Sequence, residues 1–255
     1  MSNLIINADD FGISSDVNYA IMSAMDAGIC TDTTLLANFE YAEHAANLAC
    51  TMNRADRVGI HLNLTEGLPL TLKIRNEPRF CNELGVFHNK KEKRILQLSK
   101  SEIIAVNEEI IAQIHLCRKL GIQISHADSH NHIHEEPGLG LLIMGVLKTE
   151  NIPFLRLTNN LGKTSFVNRF YRSMYNVVIG FKGLTATDYF GSVSDLGNYG
   201  NKILPSSIIE LMIHPGKIVD GQILDVYSNE NLSSLLPEMI KRNKLISYSQ
   251  IHHIY

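Results

Sequence analysis

Tryptophan is absent from this 255-residue chain, and its four cysteines (Cys30, Cys50, Cys81, Cys117) form no Cys-x-x-Cys pair. That spacing shows no regular framework and fits reduced thiols in a cytosolic protein better than disulfides. No apolar run approaches the roughly 20 residues needed to span a bilayer. The start, Met1-Ser2-Asn3-Leu4-Ile5-Ile6-Asn7, reaches acidic residues too soon for a secretory leader, so the expected location is the cytoplasm. Strong charge of either sign is also missing. The formal net charge is −3, and the basic run Lys90-Lys91-Glu92-Lys93-Arg94 is short and interrupted. Nucleic acid is therefore not an expected partner. Internal repeats and low-complexity segments are absent too.

What the chain does have is histidine in one place. Ser125-His126-Ala127-Asp128-Ser129-His130-Asn131-His132-Ile133-His134 holds four of the eleven histidines, alternating with an aspartate. In an extended segment every second residue projects to one side, so His126, Asp128, His130, His132 and His134 are expected on one face. Imidazole and carboxylate are the usual nitrogen and oxygen ligands of zinc and its neighbours. One ion does not use five groups, and ligating imidazoles need a partner on the other ring nitrogen. Some members are therefore orienters or substrate contacts.

Elsewhere short apolar runs alternate with helix-period segments, the pattern of an α/β fold. Strands are expected at Leu4–Ile6, Thr33–Ala37, Arg57–Leu64, Ile122–Ile124, Phe154–Leu157 and Glu210–Gly216. A helix capped near Ser14–Asp16 turns Val17, Ile21 and Ala24 or Met25 inward. A second, capped by Ser101, turns Ile103, Val106, Ile110, Ile114 and Cys117 inward. Further helices are expected at 41–49, 137–148 and 233–241, and residues 158–203 give no clear pattern. The whole chain, 1–255, reads as one domain with a long loop insertion at about 65–100, and with His88, His252 and His253 on the surface. Asp9, Asp10, His61, the cluster, Arg156 and His214 all fall at or just past expected strand ends, where α/β barrels assemble their sites.

Asp9-Asp10 suits metal-assisted hydrolysis, one carboxylate on the ion and the other taking a proton from water. A helix N-cap pair is the competing reading. His61, alone among apolar residues, fits a structural hydrogen bond as well as a ligand. Glu210 reads as a solvated strand residue. Phe11, Tyr189 and Phe190 are candidates for stacking on sugar rings, with core packing the competing reading for Phe11.

The motifs Asn7-Ala8-Asp9-Asp10-Phe11-Gly12, Gly59-Ile60-His61-Leu62-Asn63-Leu64-Thr65, Asp128-Ser129-His130-Asn131-His132-Ile133-His134 and His214-Pro215-Gly216 resemble the YdjC-type carbohydrate deacetylases. The resemblance implies a distorted TIM-like (β/α) barrel related to polysaccharide deacetylases, one divalent ion and a homodimer. It implies Asp10, His61 and His130 as metal ligands, Asp9 as general base and His214 as the acid that protonates the leaving amine. Arg156 and Asp128 become orienting groups, and His126, His132 and His134 become orienters and substrate contacts. Zinc suits the imidazoles, while magnesium, manganese and cobalt remain open. The implied reaction removes an N-acetyl group from an amino sugar of chitooligosaccharide type. Two rivals stay open: a binuclear phosphoesterase or amidohydrolase with His132 and His134 on a second ion, and a non-catalytic metal- or sugar-binding protein.

Overall fold

The computed structural model describes residues 1–89 and 95–253, excluding the side chains of His252 and His253. The basic run at 90–94 and the placement of those two histidine side chains lie outside the described residues. β1 (Asn3–Phe11) is followed by α1 (Ser15–Asp26), β2 (Asp32–Leu35), α2 (Ala42–Thr51) and β3 (Val58–Leu62). A short α3 (Leu72–Arg75) precedes α4 (Lys100–Lys119), β4 (Ala127–Ser129), α5 (Pro137–Thr149) and α6 (Phe166–Phe181). Then come β5 (Tyr189–Ser192), α7 (Val193–Tyr199), β6 (Ile208–Ile213), β7 (Pro215–Val219), β8 (Gln222–Asp225), α8 (Leu232–Lys241) and β9 (Lys244–Leu245).

Six parallel strands lie in the order β4-β3-β2-β1-β6-β5, with β9 added to the start of β1. The bridges Ala127↔Leu155 and Phe154↔Thr185 continue the curl beyond β4. Backbone bonds from Asn160 and Leu161 to Phe190 then reach β5. The result is a distorted TIM-like α/β barrel with β1 at its centre.

Apolar faces of the helices pack on the outside of the sheet, where Ile21, Ala46, Ile110, Ile114 and Ile143 are buried. The inner layer differs. At its lower end Ile5, Phe154, Ile208, Ile246, Tyr248 and Ile251 form a separate apolar plug. Above the plug the inward positions are polar, and that layer carries the site.

Several local expectations need correction. The cap of α4 is Ser99, whose side chain accepts from Glu102 N while the Glu102 carboxylate accepts from Ser99 N. Ser101 lies inside the helix, and Ile103 is 42% exposed instead of turned inward. Ile122–Ile124 forms no strand, because the ladder begins at Ala127. Asp9 and Asp10 are strand residues, and Ser14 caps α1 by accepting from Val17 N. The 65–100 segment contains the short α3, and Glu109 of α4 anchors it by accepting from Leu70 N, Thr71 N and the Thr71 hydroxyl.

Asp32 is a buried strand carboxylate whose Oδ1 accepts from Tyr248 N at 3.1 Å, while Oδ2 has no partner. Burial pushes its pKa from the ordinary 3.8 up to about 7. A carboxyl with a raised folded pKa contributes fully below its unfolded pKa, and that contribution is lost as pH rises toward 7. Asp32→Asn should therefore raise the melting temperature at pH 8 by several degrees, or ~1–2 kcal/mol. At pH 4 it should change little. Equal shifts at both pH values would show that ionised Asp32 is not the cost.

Candidate active site

Alternation along β1 points Asn7 and Asp9 into the barrel and would send Asp10 to the other side. A register shift between Ala8 and Phe11 prevents this, with Asp10 at φ 68° in the left-handed region. Aspartate tolerates that backbone better than most residues. The bulge turns two adjacent carboxylates into the same mouth.

From β3, His61 places Nε2 3.2 Å from Asp10 Oδ1, while its Nδ1 donates to Asp128 Oδ1 at 2.7 Å. Asp128 of β4 also accepts from the Thr34 hydroxyl at 3.0 Å. It thereby fixes the imidazole so that Nε2 faces the cavity. His130 follows β4 and sets Nδ1 2.9 Å from the same Asp10 oxygen. Asp10, His61 and His130 each offer one ligand atom, all within 4.8 Å of one another. These donors fit a divalent ion, and the second ring nitrogen of His130 is buried with no hydrogen bond, its nearest carboxylate oxygen being that of Glu66 at 3.5 Å. Burial opposes a charge on His61, but Asp128 and Asp10 outweigh it and push the pKa up to about 10. A site that holds a proton this firmly is an electrostatic well for a cation. Asp10 is held far below the usual carboxylate range, because His130 and His61 together overcome the cost of burial.

Asp9 is held differently. Arg156 donates Nη1 to its Oδ2 at 2.6 Å and Nη2 to its Oδ1 at 2.7 Å. Asn7 Nδ2 adds a bond to Oδ1 at 2.8 Å. Burial would raise its pKa, yet Arg156 drives it well below the ordinary range. The same guanidinium reaches Asp128 at 2.8 Å and Glu210 at 2.7 Å, so one cation is shared by three buried carboxylates. Asp9, His61 and Asp128 also lie close enough to form a metal triad, but Arg156 already fills that space with positive charge.

Asp9, Asp10, His61, His130, His132 and His214 line one cavity of about 120 Å³, together with Ser129, Asn131, Met212 and Tyr227. The other expected site residues lie behind its walls. The five-fold alternation expected of the cluster ends at His130, because Asn131 and His132 both take φ 53°. His126 sits deep in the barrel, stacked on Tyr248 at 3.9 Å, with Nε2 donating to Asn7 Oδ1 at 2.9 Å. It props Asn7 and does not reach substrate. Gly59 is required for this, since a Cβ there would come within 2.6 Å of the His126 ring. His134 is fully buried, its Nδ1 2.5 Å from the Ser129 hydroxyl. Phe190 is 1% exposed and covered by Arg156, so it is a platform for the guanidinium and not a sugar-stacking face. Phe11 is core. Glu210, expected to be solvated, is buried between Arg156 and the Tyr248 hydroxyl, which donates at 2.6 Å.

Sequence reasoning missed Tyr227, whose hydroxyl donates to Asp10 Oδ2 at 3.3 Å and whose ring meets His214 edge-on at 4.6 Å. It missed Asp225, which accepts from His214 N at 2.8 Å. Asn7 was visible in the first motif, but nothing there revealed its role between His126 and Asp9.

A carbohydrate deacetylase from Geobacillus stearothermophilus is 30% identical, with 98% of each chain covered. Another, from Clostridium beijerinckii, is 31% identical over 87% of this chain and 84% of its own. Among solved structures, a protein from Enterococcus faecalis superposes with TM-score 0.72 at 22% identity, covering 98% of both chains. The lactam utilization protein of Thermus thermophilus gives 0.55 at 14%, covering 97% of this chain and 99% of its own. At those identities the two structures speak for the barrel alone. The family model described as YdjC-like protein matches residues 3–242, and the chain belongs to the YdjC-like family, whose relatives here are carbohydrate deacetylases.

Proposed function

We propose that this protein is a metal-dependent hydrolase that removes the N-acetyl group from an acetylated amino sugar of chitooligosaccharide type, releasing acetate. The observation that carries the reading is the placement of Asp9 beside, and not within, the Asp10–His61–His130 donor set. Asp10, His61 and His130 would hold one divalent ion, zinc or magnesium first, with manganese or cobalt also suited to the donors. Such an ion supplies Lewis acidity, polarising the acetyl carbonyl and lowering the pKa of water.

The residues of the chain do the rest. Asp9, kept ionised and oriented by Arg156, takes the proton of the water that attacks the acetyl carbon. Its bonds to Arg156 and Asn7 hold the carboxylate at one edge of the cavity. His214 gives a proton to the nitrogen as the C–N bond breaks, leaving acetate and a free amine. Tyr227 holds the outer oxygen of Asp10 and lies against His214. The single-domain organisation of 1–255 and the homodimer belong to the same proposal.

Metal analysis combined with acetate release from N-acetylated chitooligosaccharides tests it. One ion per chain with acetate release supports the reading, and His130→Ala should lose the ion and the activity together. His132, His134 and Glu135 form a second group with ligand atoms in reach of one another, which favours the binuclear rival. Two ions per chain and phosphoester hydrolysis without acetate release would establish that rival instead.

A further inference from the structure

Between Asn151 and Thr187 the chain has no acidic residue and five basic ones, Arg156, Lys163, Arg169, Arg172 and Lys182, although the whole protein carries a net charge of −3. Arg156 is buried in the site, which leaves four for the surface. α6 occupies the middle of this stretch. Its inner face is fixed by Tyr171, whose hydroxyl donates to Glu135 O at 2.6 Å, and by Tyr175, whose hydroxyl donates to His134 O.

The outer face is the anomaly. Phe166, Val167, Phe170, Met174, Val177 and Phe181 are all exposed, the two end phenylalanines at 83% and 86%. At about 100° per residue these six fall within an arc of about 100°, opposite the buried Tyr175 and Ile179. The stripe runs the length of a helix of about 24 Å. Monomers rarely leave so continuous an apolar strip uncovered. On one flank Arg169 and Arg172 line a half-open crevice of about 540 Å³ with Asn159, Asn160 and Asn176. Its one carboxylate, Asp188, is engaged by Ile208 N at 2.8 Å.

We infer that α6 is an interfacial helix that seats the protein on an anionic phospholipid surface. Phenylalanines on one face with arginine and lysine beside them are what partition into the headgroup boundary of such a surface. The basic flanks select this occupant over a second copy of the chain. Two such faces brought together would gather the flanking Arg169 and Lys182 of both copies into one interface, with no carboxylate in the segment to answer them. Among the described residues no helix is long and apolar enough to cross a membrane, so the attachment is peripheral.

Co-sedimentation of the full chain with phosphatidylcholine vesicles, with and without phosphatidylglycerol, tests this. Binding should require phosphatidylglycerol and fall as salt is raised. Phe170→Glu and Val177→Glu, at exposed positions and with unchanged melting curves, should each weaken it about tenfold or more. The double reversal Arg169→Glu, Lys182→Glu should abolish the preference for phosphatidylglycerol. Three results would each overturn the inference: no binding to the anionic vesicles, variants that bind as the wild type does, or a dimer in solution that Phe170→Glu splits.

Discussion

An Asp9→Asn protein should keep its ion and its fold and release acetate about 10²- to 10⁴-fold more slowly, the range of a lost general base. The geometry makes this substitution unusually clean. Asp9 contributes no atom to the Asp10–His61–His130 set, so metal content should match the wild type. Asparagine retains an oxygen for one Arg156 bond, and Arg156 keeps Asp128 and Glu210 as counter-charges. Stability should therefore change little, because the guanidinium then serves two buried carboxylates in place of three. The measurement is kcat alongside metal stoichiometry and a melting curve. An Asp9→Asn enzyme with unaltered kcat would remove Asp9 from the chemistry and shift attention to His214.

Arg156→Met should give the largest loss of stability in the molecule, about 3–5 kcal/mol, the cost of breaking a buried charge cluster by removing one partner. For a chain of this size that is a fall in melting temperature of about 10 °C or more. The cause is specific. Asp9, Asp128 and Glu210 are fully or almost fully buried, and one guanidinium serves all three. Without it burial alone pushes Asp9 up and drives the already raised Glu210 further up, so the deficit should shrink as pH is lowered and these carboxylates take up protons. Arg156→Lys should recover part of the loss, since an ammonium restores charge but not the two-pronged bond to Asp9. Melting curves at pH 5 and pH 8 decide the matter. A Met variant within about 1 kcal/mol of wild type at pH 8 would mean that the carboxylates are neutralised by some other route.

What the sequence disclosed was whatever depends on local pattern. Leu4–Ile6, Val58–Leu64 and Glu210–Ile213 read as buried strands because apolar β-forming runs have few other places to go. Asp9 and Asp10 stood out as candidates because they follow such a run, His61 because it interrupts one, and His130 because it belongs to the histidine cluster. The cap of α4 was misassigned to Ser101, although Ser99 stands three residues before Glu102 in capping-box spacing and Ser101 has no acidic partner there. The histidine cluster misled for a physical reason. Alternation means a common face only while φ stays extended, and Asn131 and His132 leave that region in consecutive positions. Glu210 was misjudged because its partner lies 54 residues earlier, and no local pattern encodes that meeting. The turn of Asp10 toward Asp9 depends on one bulge, which is likewise silent in the composition around it.

The central position of β1 has a consequence for how the protein is made. Its neighbours are Asp32–Leu35 and, at its start, residues 244–245 along one edge, and residues 208–213 along the other. During synthesis at about 5–20 residues per second, β1 waits on the order of ten seconds or more for that second side. Until then Leu4, Ile5 and Ile6 form an open, sticky strand edge. Completion therefore comes late and all at once. The nascent chain should depend on chaperone cover, and refolding from denaturant should be slow and limited by concentration.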